Sequence, residues 1–197
     1  AAMVASSGEE DFHKTLAEIR KKHQDVTGEL FNGGDSVVQK VDELLDEMGQ
    51  ILTGITLVGE LTPKTLDRIA GIGERISSHI VAEFLPGAVR EDASGFIQTD
   101  SNFGNAAVDF EATNPKIVSR FKGFKGIAVV PGFIARNEKG DFSTLGRGGS
   151  DYTAAIIAAA LDVSGLEIWT DVDGFMTADP RVIRKAYTIP ELTYSEA

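Results

Sequence analysis

The chain contains no cysteine, which excludes disulfides, cysteine zinc sites and thiolate nucleophiles. Cations are also scarce, because 19 lysines and arginines face 30 aspartates and glutamates, for a net charge of −11. Nucleic acids and anionic membrane surfaces attract basic proteins, so neither is an expected partner. No apolar run approaches the roughly 18 residues of a membrane helix, and a signal-peptide pattern is absent at the N-terminus. We expect a soluble protein, and the lack of cysteine fits a cytoplasmic location.

Several familiar ligand motifs are missing as well. The three histidines, His13, His23 and His79, fall in helical patterns without metal-ligand spacing. The stretch TDVDG begins like a calcium loop, but its glycine comes fourth instead of sixth. GIGERI lacks the last glycine of a dinucleotide fingerprint, and no glycine–lysine pair stands in the frame of a P-loop. The sequence therefore assigns no metal site.

The first half of the chain has the apolar spacing of three helices. Ser7 is the expected cap of the first helix. Thr62 and Pro63 are expected to begin the third, which continues to about Phe84. Glu74 lies within this third helix, where the pattern alone is typical of a solvated surface carboxylate.

The second half alternates short strands with a helix. GIAVVPGFIA predicts a strand buried on both faces and closed by Pro131 and Gly132. FIARNEKGDFSTLG predicts a hairpin that turns at 138–141, TAAIIAAALD a helix, and LEIWTDVDG a strand before an acidic turn. The alternation predicts an α/β fold, a three-layer αβα sandwich with a mostly parallel central sheet.

The stretch TLGRGGSDYTAAIIAAAL, residues 144–161, places three glycines and an arginine just before the predicted helix. In parallel sheets, ligands bind where loops lead from strands into helix N-termini. Glycines let backbone N–H groups face an anion, the helix N-terminus is partly positive, and Arg147 offers a bidentate fork. Asp151, in the first helical turn, could bind an ammonium group. Together these groups suit a zwitterion such as an amino acid.

A purely structural interpretation of the same loop stays open. In that interpretation Ser150 is the helix cap, Asp151 is a first-turn acid favoured by the helix dipole, and the glycines make a tight turn. Glycine-rich turns from strand to helix are common in α/β proteins, so the pattern alone favours neither alternative.

Two longer stretches resemble a known family. VPGFIARNEKGDFSTLGRGGSDYTAA and, after it, LEIWTDVDGFMTADPRV are similar to the aspartate kinases of the amino-acid-kinase superfamily. GERISS and LTYSEA fit the same family in the same order. The resemblance covers about residues 1–197 and is densest from 129 to 197. Its details are most similar to the kinase half of bifunctional aspartokinase–homoserine dehydrogenases.

The resemblance implies a reaction and a set of site residues. ATP would phosphorylate the side-chain carboxylate of L-aspartate to 4-phospho-L-aspartate, at the start of lysine, threonine and methionine biosynthesis. Arg147 would grip the α-carboxylate of aspartate, while Glu74 and Asp151 would hold its ammonium group. Gly148, Gly149 and Ser150 would shape this pocket, and the ATP site would include Thr170, Asp171, Met176 and Arg181. Mg²⁺ would be bound by the phosphates of ATP, and the full-length protein would be a homo-oligomer.

The chain also departs from the family pattern. We expect residues 1–197 to be a catalytic domain without its first strand, its phosphate loop and its C-terminal end, since the family's Lys-Phe-Gly-Gly-Thr-Ser run is absent. Met176 stands where the family commonly has tyrosine. These residues alone should be inactive, and regulatory ACT domains are expected downstream. Two alternatives stay open: a kinase of glutamate or acetylglutamate, and a non-catalytic binding or assembly module with the same fold.

Overall fold

The computed structural model describes residues 2, 12–32, 36–171, 174–193, 195 and 196. The cap expected at Ser7 lies outside the described residues. The chain divides into two units, Ala1–Ser164 and Gly165–Ala197. Within the described ranges, no helix has both the length and the apolar character needed to cross a membrane.

The described part of the first unit alternates helices with short strands. In chain order the elements are α1 (Phe12–Leu30), α2 (Ser36–Val58), α3 (Pro63–Phe84), β1 (Ala88–Arg90), β2 (Gln98–Thr99), α4 (Phe110–Phe121), β3 (Ile127–Val129), β4 (Ile134–Asn137), β5 (Phe142–Thr144) and α5 (Gly149–Leu161). A single 3₁₀ turn, Ala93–Gly95, separates β1 from β2. The three helices predicted in the first half, the hairpin and the last helix are all confirmed.

Helices α1, α2 and α3 pack around one apolar cluster, because each places an apolar stripe toward the others. The α3 start is the one predicted: Thr62 accepts a hydrogen bond from the backbone N–H of Thr65 at 3.1 Å, and Pro63 follows the cap. Across the helices, Glu47 of α2 forms ion pairs with Arg68 at 2.9 Å and Arg75 at 3.0 Å. The two arginines lie about two turns apart in α3, and both pairs tie α3 to α2.

The described strands form two sheets, the parallel pair β1–β3 and a three-stranded sheet in the order β2-β4-β5. Strand β1 pairs in parallel with β3, and β2 pairs in parallel with β4. Strands β4 and β5 are antiparallel, with Ile134 opposite Thr144, and the chain turns between them at 138–141 as predicted. A second apolar cluster, which includes Ile117, Ile134 and Ile156, packs α4 and α5 against these strands. The expected α/β alternation with parallel strands is therefore confirmed.

Two expectations about strands are wrong. Strand β3 was expected to be buried on both faces, yet Ile127 is 50% exposed, and among the described residues only β1 pairs with β3. Residues 166–170, the predicted strand LEIWT, form no strand either. A strand needs a partner for its backbone N–H and C=O groups, and the described part of the second unit supplies none there. Trp169 is accordingly 89% exposed in this unit.

The second unit is held by backbone hydrogen bonds around one antiparallel bridge, which joins Met176 to Thr188. The N–H of Thr177 donates to the carbonyl of Tyr187 at 3.0 Å, and the N–H of Ile189 donates to the carbonyl of Phe175 at 2.8 Å. This bridge places Met176 in a paired segment.

Candidate substrate-binding site

The loop between β5 and α5 bends at two glycines, one on each side of Arg147. Gly146 and Gly148 both have φ of +75°, in the left-handed region that glycine adopts without strain. Gly148 is also the N-cap of α5, and no side chain caps this helix. The interpretation of Ser150 as the cap is therefore wrong, since Ser150 is the second residue of the helix.

The first turn of α5 leaves backbone donors open. The N–H of Gly149 donates to the carbonyl of Gly146, and that of Tyr152 to the carbonyl of Gly148, both at 3.0 Å. Among the described residues, no acceptor takes the N–H groups of Ser150 and Asp151. Free N–H groups at a helix N-terminus, together with the helix dipole, favour a negatively charged ligand.

This loop lines a cavity of about 300 Å³ together with the middle of α3. All the residues that the sequence assigned to aspartate binding line it, namely Glu74, Arg147, Gly148, Gly149, Ser150 and Asp151. Ligand cavities generally range from about 300 to 1,000 Å³, so this one suits a small molecule.

The charged groups of the cavity have no partner in the described part of the chain. Arg75, the neighbour of Glu74 in α3, instead donates its Nη1 to Glu47 at 3.0 Å. Burial raises the pKa of the half-buried Glu74 carboxyl above its usual value of 4.5. Arg147 and Asp151 are exposed. None of these three groups makes a hydrogen bond or ion pair within the described ranges.

Two further lining residues, Phe133 and Gly146, were not assigned by the sequence analysis. Phe133 has φ of +70°, and the N–H of Ile134 reaches back to the carbonyl of Gly132 at 2.8 Å. This is the rare, strained form of the γ-turn. The N–H of Phe133 donates to Thr153 Oγ1 at 3.0 Å, which helps to hold the strained residue in place. Strain of this kind clusters at functional sites, and its only sequence signal was the preceding Pro131 and Gly132.

A larger cavity, about 680 Å³, lies between the 3₁₀ turn and α4. Its main charges are already paired. Arg120 donates both Nε and Nη2 to the carboxylate of Glu91 at 2.6 Å, and Lys116 donates to Gln98 Oε1 at 2.7 Å. The smaller cavity is therefore the better candidate for binding a charged ligand.

The four residues assigned to the nucleotide lie in the second unit. Thr170 Oγ1 donates to Asp171 Oδ1 at 3.2 Å, and Arg181 pairs with Asp179 at 3.2 Å. Met176 is the bridge residue described above. In the described chain, no three histidine, aspartate or glutamate side chains are grouped as metal ligands.

Comparison with known proteins gives consistent matches. The model of the amino acid kinase family matches residues 3–197. Aspartokinase 1, chloroplastic, of Arabidopsis thaliana is 39% identical over 164 residues, which are 78% of this chain and 28% of that protein. Lysine-sensitive aspartokinase 3 of Escherichia coli (strain K12) is 36% identical over 169 residues, 77% of this chain and 36% of that protein.

A solved structure agrees with these matches. The crystal structure of E. coli aspartokinase III in complex with aspartate and ADP aligns with a TM-score of 0.83 at 31% identity, over 90% of this chain and 40% of that one. The resemblance noted from the motifs and the expected sandwich fold are confirmed. The chain spans between 28% and 40% of the length of these three proteins.

Proposed function

The chain belongs to the amino acid kinase family, and from this premise we propose that it is the catalytic domain of an aspartate kinase. Such an enzyme transfers the γ-phosphoryl group of ATP to the side-chain carboxylate of L-aspartate and gives 4-phospho-L-aspartate, at the start of lysine, threonine and methionine biosynthesis. The names of the matched relatives support this assignment.

One observation carries the proposal: two carboxylates and one guanidinium line a single small cavity without partners in the described chain. Free aspartate would provide a charged partner for all three groups. Arg147 takes the α-carboxylate, with each charge-assisted hydrogen bond contributing about 1.5–3 kcal/mol. Glu74 and Asp151 take the ammonium group. The open N–H groups at the start of α5 add donors for a carboxylate.

The same charges argue against an N-acylated substrate. An amide nitrogen carries no positive charge, so Glu74 and Asp151 would gain no ion pair from acetylglutamate. The burial of Glu74 makes this difference larger, because an unpaired carboxylate in a half-buried place is unfavourable. This favours a free amino acid as the phosphoryl acceptor.

The transfer needs no protein base. The carboxylate oxygen of aspartate is already deprotonated at neutral pH, and it forms a bond to the γ-phosphorus as the bond from that phosphorus to the β–γ bridging oxygen breaks. ADP leaves with the electron pair, and no proton moves. Catalysis then depends on positioning and on neutralising charge along an in-line path. Arg147, Glu74 and Asp151 position the acceptor.

For the nucleotide, we assign Thr170, Asp171, Met176 and Arg181 of the second unit. Their side chains supply a hydroxyl, a carboxylate, an apolar surface and a cation, which suit adenosine and its phosphates. Mg²⁺ would be bound by the phosphates, as the resemblance implies. It would neutralise charge during transfer. A cytoplasmic location, which fits the lack of cysteine, and a homo-oligomeric assembly, which the resemblance implies, remain predictions.

The test is coupled ADP release from ATP·Mg²⁺ by the complete gene product, with L-aspartate and N-acetyl-L-glutamate compared as acceptors. We expect turnover with aspartate alone. Turnover with acetylglutamate would assign the chain to another amino acid kinase, and no turnover with any amino acid would favour a non-catalytic module.

Arg147→Ala sharpens the same test. Because Arg147 is expected to touch only the amino acid, its loss should raise KM for aspartate about tenfold or more and leave KM for ATP nearly unchanged. Equal losses for both ligands would contradict its assignment to the α-carboxylate.

A further inference from the structure

Asp67 of α3 is a buried carboxylate that pairs with no cation of the described chain. Its side chain belongs to a residue that is only 3% exposed, and it forms no ion pair in the described chain. Three donors satisfy it instead. The backbone N–H groups of Thr144 and Gly104 both donate to Oδ2 at 2.9 Å, and Thr144 Oγ1 donates to Oδ1 at 2.8 Å. A buried charge is tolerated only with such compensation, so these bonds fix its position firmly.

The partner of Asp67 leads directly into the candidate site. Thr144 is the last residue of β5, and the loop that carries Arg147 begins at the next residue. On the other side, Glu74 follows Asp67 by seven residues in α3. Seven residues make about two helical turns, so the two carboxylates lie on the same face of the helix, about 10 Å apart along its axis. Asp67 therefore joins the element that carries Glu74 to the element that carries Arg147.

The loop around Gly104 also binds Asp67. Gly104 donates to Asp67, and its carbonyl lies close to Gly146: a Cβ built on Gly146 would stand 3.1 Å from that oxygen. The N–H of Ala106 donates to the carbonyl of Thr144 at 2.9 Å. The loop around Gly104 thus supports the glycine loop from one side, and Asp67 binds both Gly104 and Thr144.

We propose that Asp67 is a positioning residue for substrate binding, which sets the separation between Glu74 and the loop of Arg147 through its bonds to Thr144. The inference rests on the proposed function, since it concerns the binding of aspartate between these two groups. Asp67 itself never touches the substrate. A zwitterion bound at both ends depends on the spacing of its partners, and displacements near 1 Å cost binding and rate steeply.

The test is Thr144→Val in the complete gene product. Valine keeps the shape of threonine and the backbone N–H bond but removes the hydroxyl donor, so Oδ1 of Asp67 loses its partner. We expect KM for aspartate to rise about tenfold and KM for ATP to stay within about twofold. Thr144→Ser restores the donor and should restore KM for aspartate.

Ser143→Ala is the matched control. Ser143 is the neighbouring residue of β5, it is fully buried, and its hydroxyl forms a bond of 2.7 Å with Thr99 Oγ1 instead of with Asp67. Loss of the Ser143 hydroxyl should lower the thermal stability about as much as Thr144→Val does, and it should leave KM for aspartate unchanged. Equal effects of Thr144→Val and Ser143→Ala on KM, or no effect of either, would overturn the proposal.

Two further measurements separate failure of the proposal from failure to fold or failure of the proposed function. If Thr144→Val does not fold, Thr144→Cys replaces it, because its thiol is a weaker donor than a hydroxyl. A KM for aspartate between those of the wild type and the expected Thr144→Val value supports the proposal, and a wild-type KM overturns it. If the wild-type protein does not phosphorylate aspartate, the proposed function fails. Amide hydrogen exchange at 146–148 then tests whether the bond between Asp67 and Thr144 holds this loop in place. Faster exchange in Thr144→Val than in Ser143→Ala would support the proposal, and equal exchange would contradict it.

Discussion

Gly132 lies directly against Ser150. A Cβ built on Gly132 would stand 2.7 Å from the Cα and 2.9 Å from the Cβ of Ser150. The contact joins the turn before β4 to the first turn of α5, which carries Ser150 and Asp151 into the candidate site. Glycine is required because any side chain would push these two backbone segments apart.

Gly132→Ala should therefore displace the start of α5. Overpacking of this kind costs about 1–3 kcal/mol, and each kcal/mol lowers Tm by about 2–4 °C in a protein of this size. We also expect weaker binding of aspartate. Gly73→Ala is the control, because Gly73 lies in α3 and its added Cβ would meet nothing within 4 Å beyond the local backbone of that helix. It should keep or raise Tm, and an unchanged Tm in Gly132→Ala would refute the close contact.

The two left-handed glycines of the loop should differ in their tolerance of alanine. Both have φ of +75°, so alanine at either position costs about 1–2 kcal/mol of backbone strain. At Gly148 the added Cβ meets nothing within 4 Å, but at Gly146 it would stand 2.5 Å from Asn105 Oδ1. Gly146→Ala should therefore destabilise more in chemical denaturation. Adding Asn105→Ala should recover part of the loss, and equal losses in the two single variants would be the contrary result.

The affinity for aspartate should depend on the ionisation of Glu74. Burial raises the pKa of this carboxyl above 4.5, and only its charged form can pair with the ligand ammonium. Lowering the pH through that raised pKa should weaken aspartate binding in isothermal titration calorimetry. Glu74→Gln should bind aspartate more weakly at neutral pH and lose this pH dependence. A wild-type pH profile in Glu74→Gln would show that another group titrates.

His79 should make the stability of the protein depend on pH in mildly acidic solution. Burial and the positive charges of Arg90, Lys40 and Arg75 lower its pKa from 6.5 to about 4. Between these values the unfolded chain binds the proton and the folded chain does not, so stability falls as the pH drops from about 6.5 toward 4. His79→Gln should flatten this part of the stability profile. The direct check is an NMR titration of the imidazole, and a midpoint near 6.5 would disprove the shift.

Local features were predictable from neighbouring residues. Thr62 and Pro63 begin α3 as expected, because a cap and the first helical position need only residues a few places apart. The hairpin at 138–141 followed in the same way from its turn residues. The alternative in which Ser150 caps α5 also failed for a local reason. The cap is Gly148, whose left-handed φ is not visible in a sequence pattern.

The errors on strands have a different origin. Ile127 and Trp169 lie in segments with the composition of buried strands, and composition predicts burial only if other strands and helices cover them. Whether a strand forms depends on a distant partner that accepts and donates its backbone hydrogen bonds. The composition of LEIWT could not show that no described segment of its unit pairs with it.

The sequence by itself determined helices α1, α2, α3 and α5, the hairpin and the glycine loop, because all of these depend on residues close together in the chain. The sequence also showed the family resemblance, because that resemblance depends only on motifs that follow one another in the family's order. Only the tertiary structure decided that Glu74 shares a cavity with Arg147, that Arg75 pairs with Glu47 instead, and that Asp67 binds Thr144. Those contacts join residues far apart in the chain, and packing of α3 against the hairpin, rather than any local preference, brings them together.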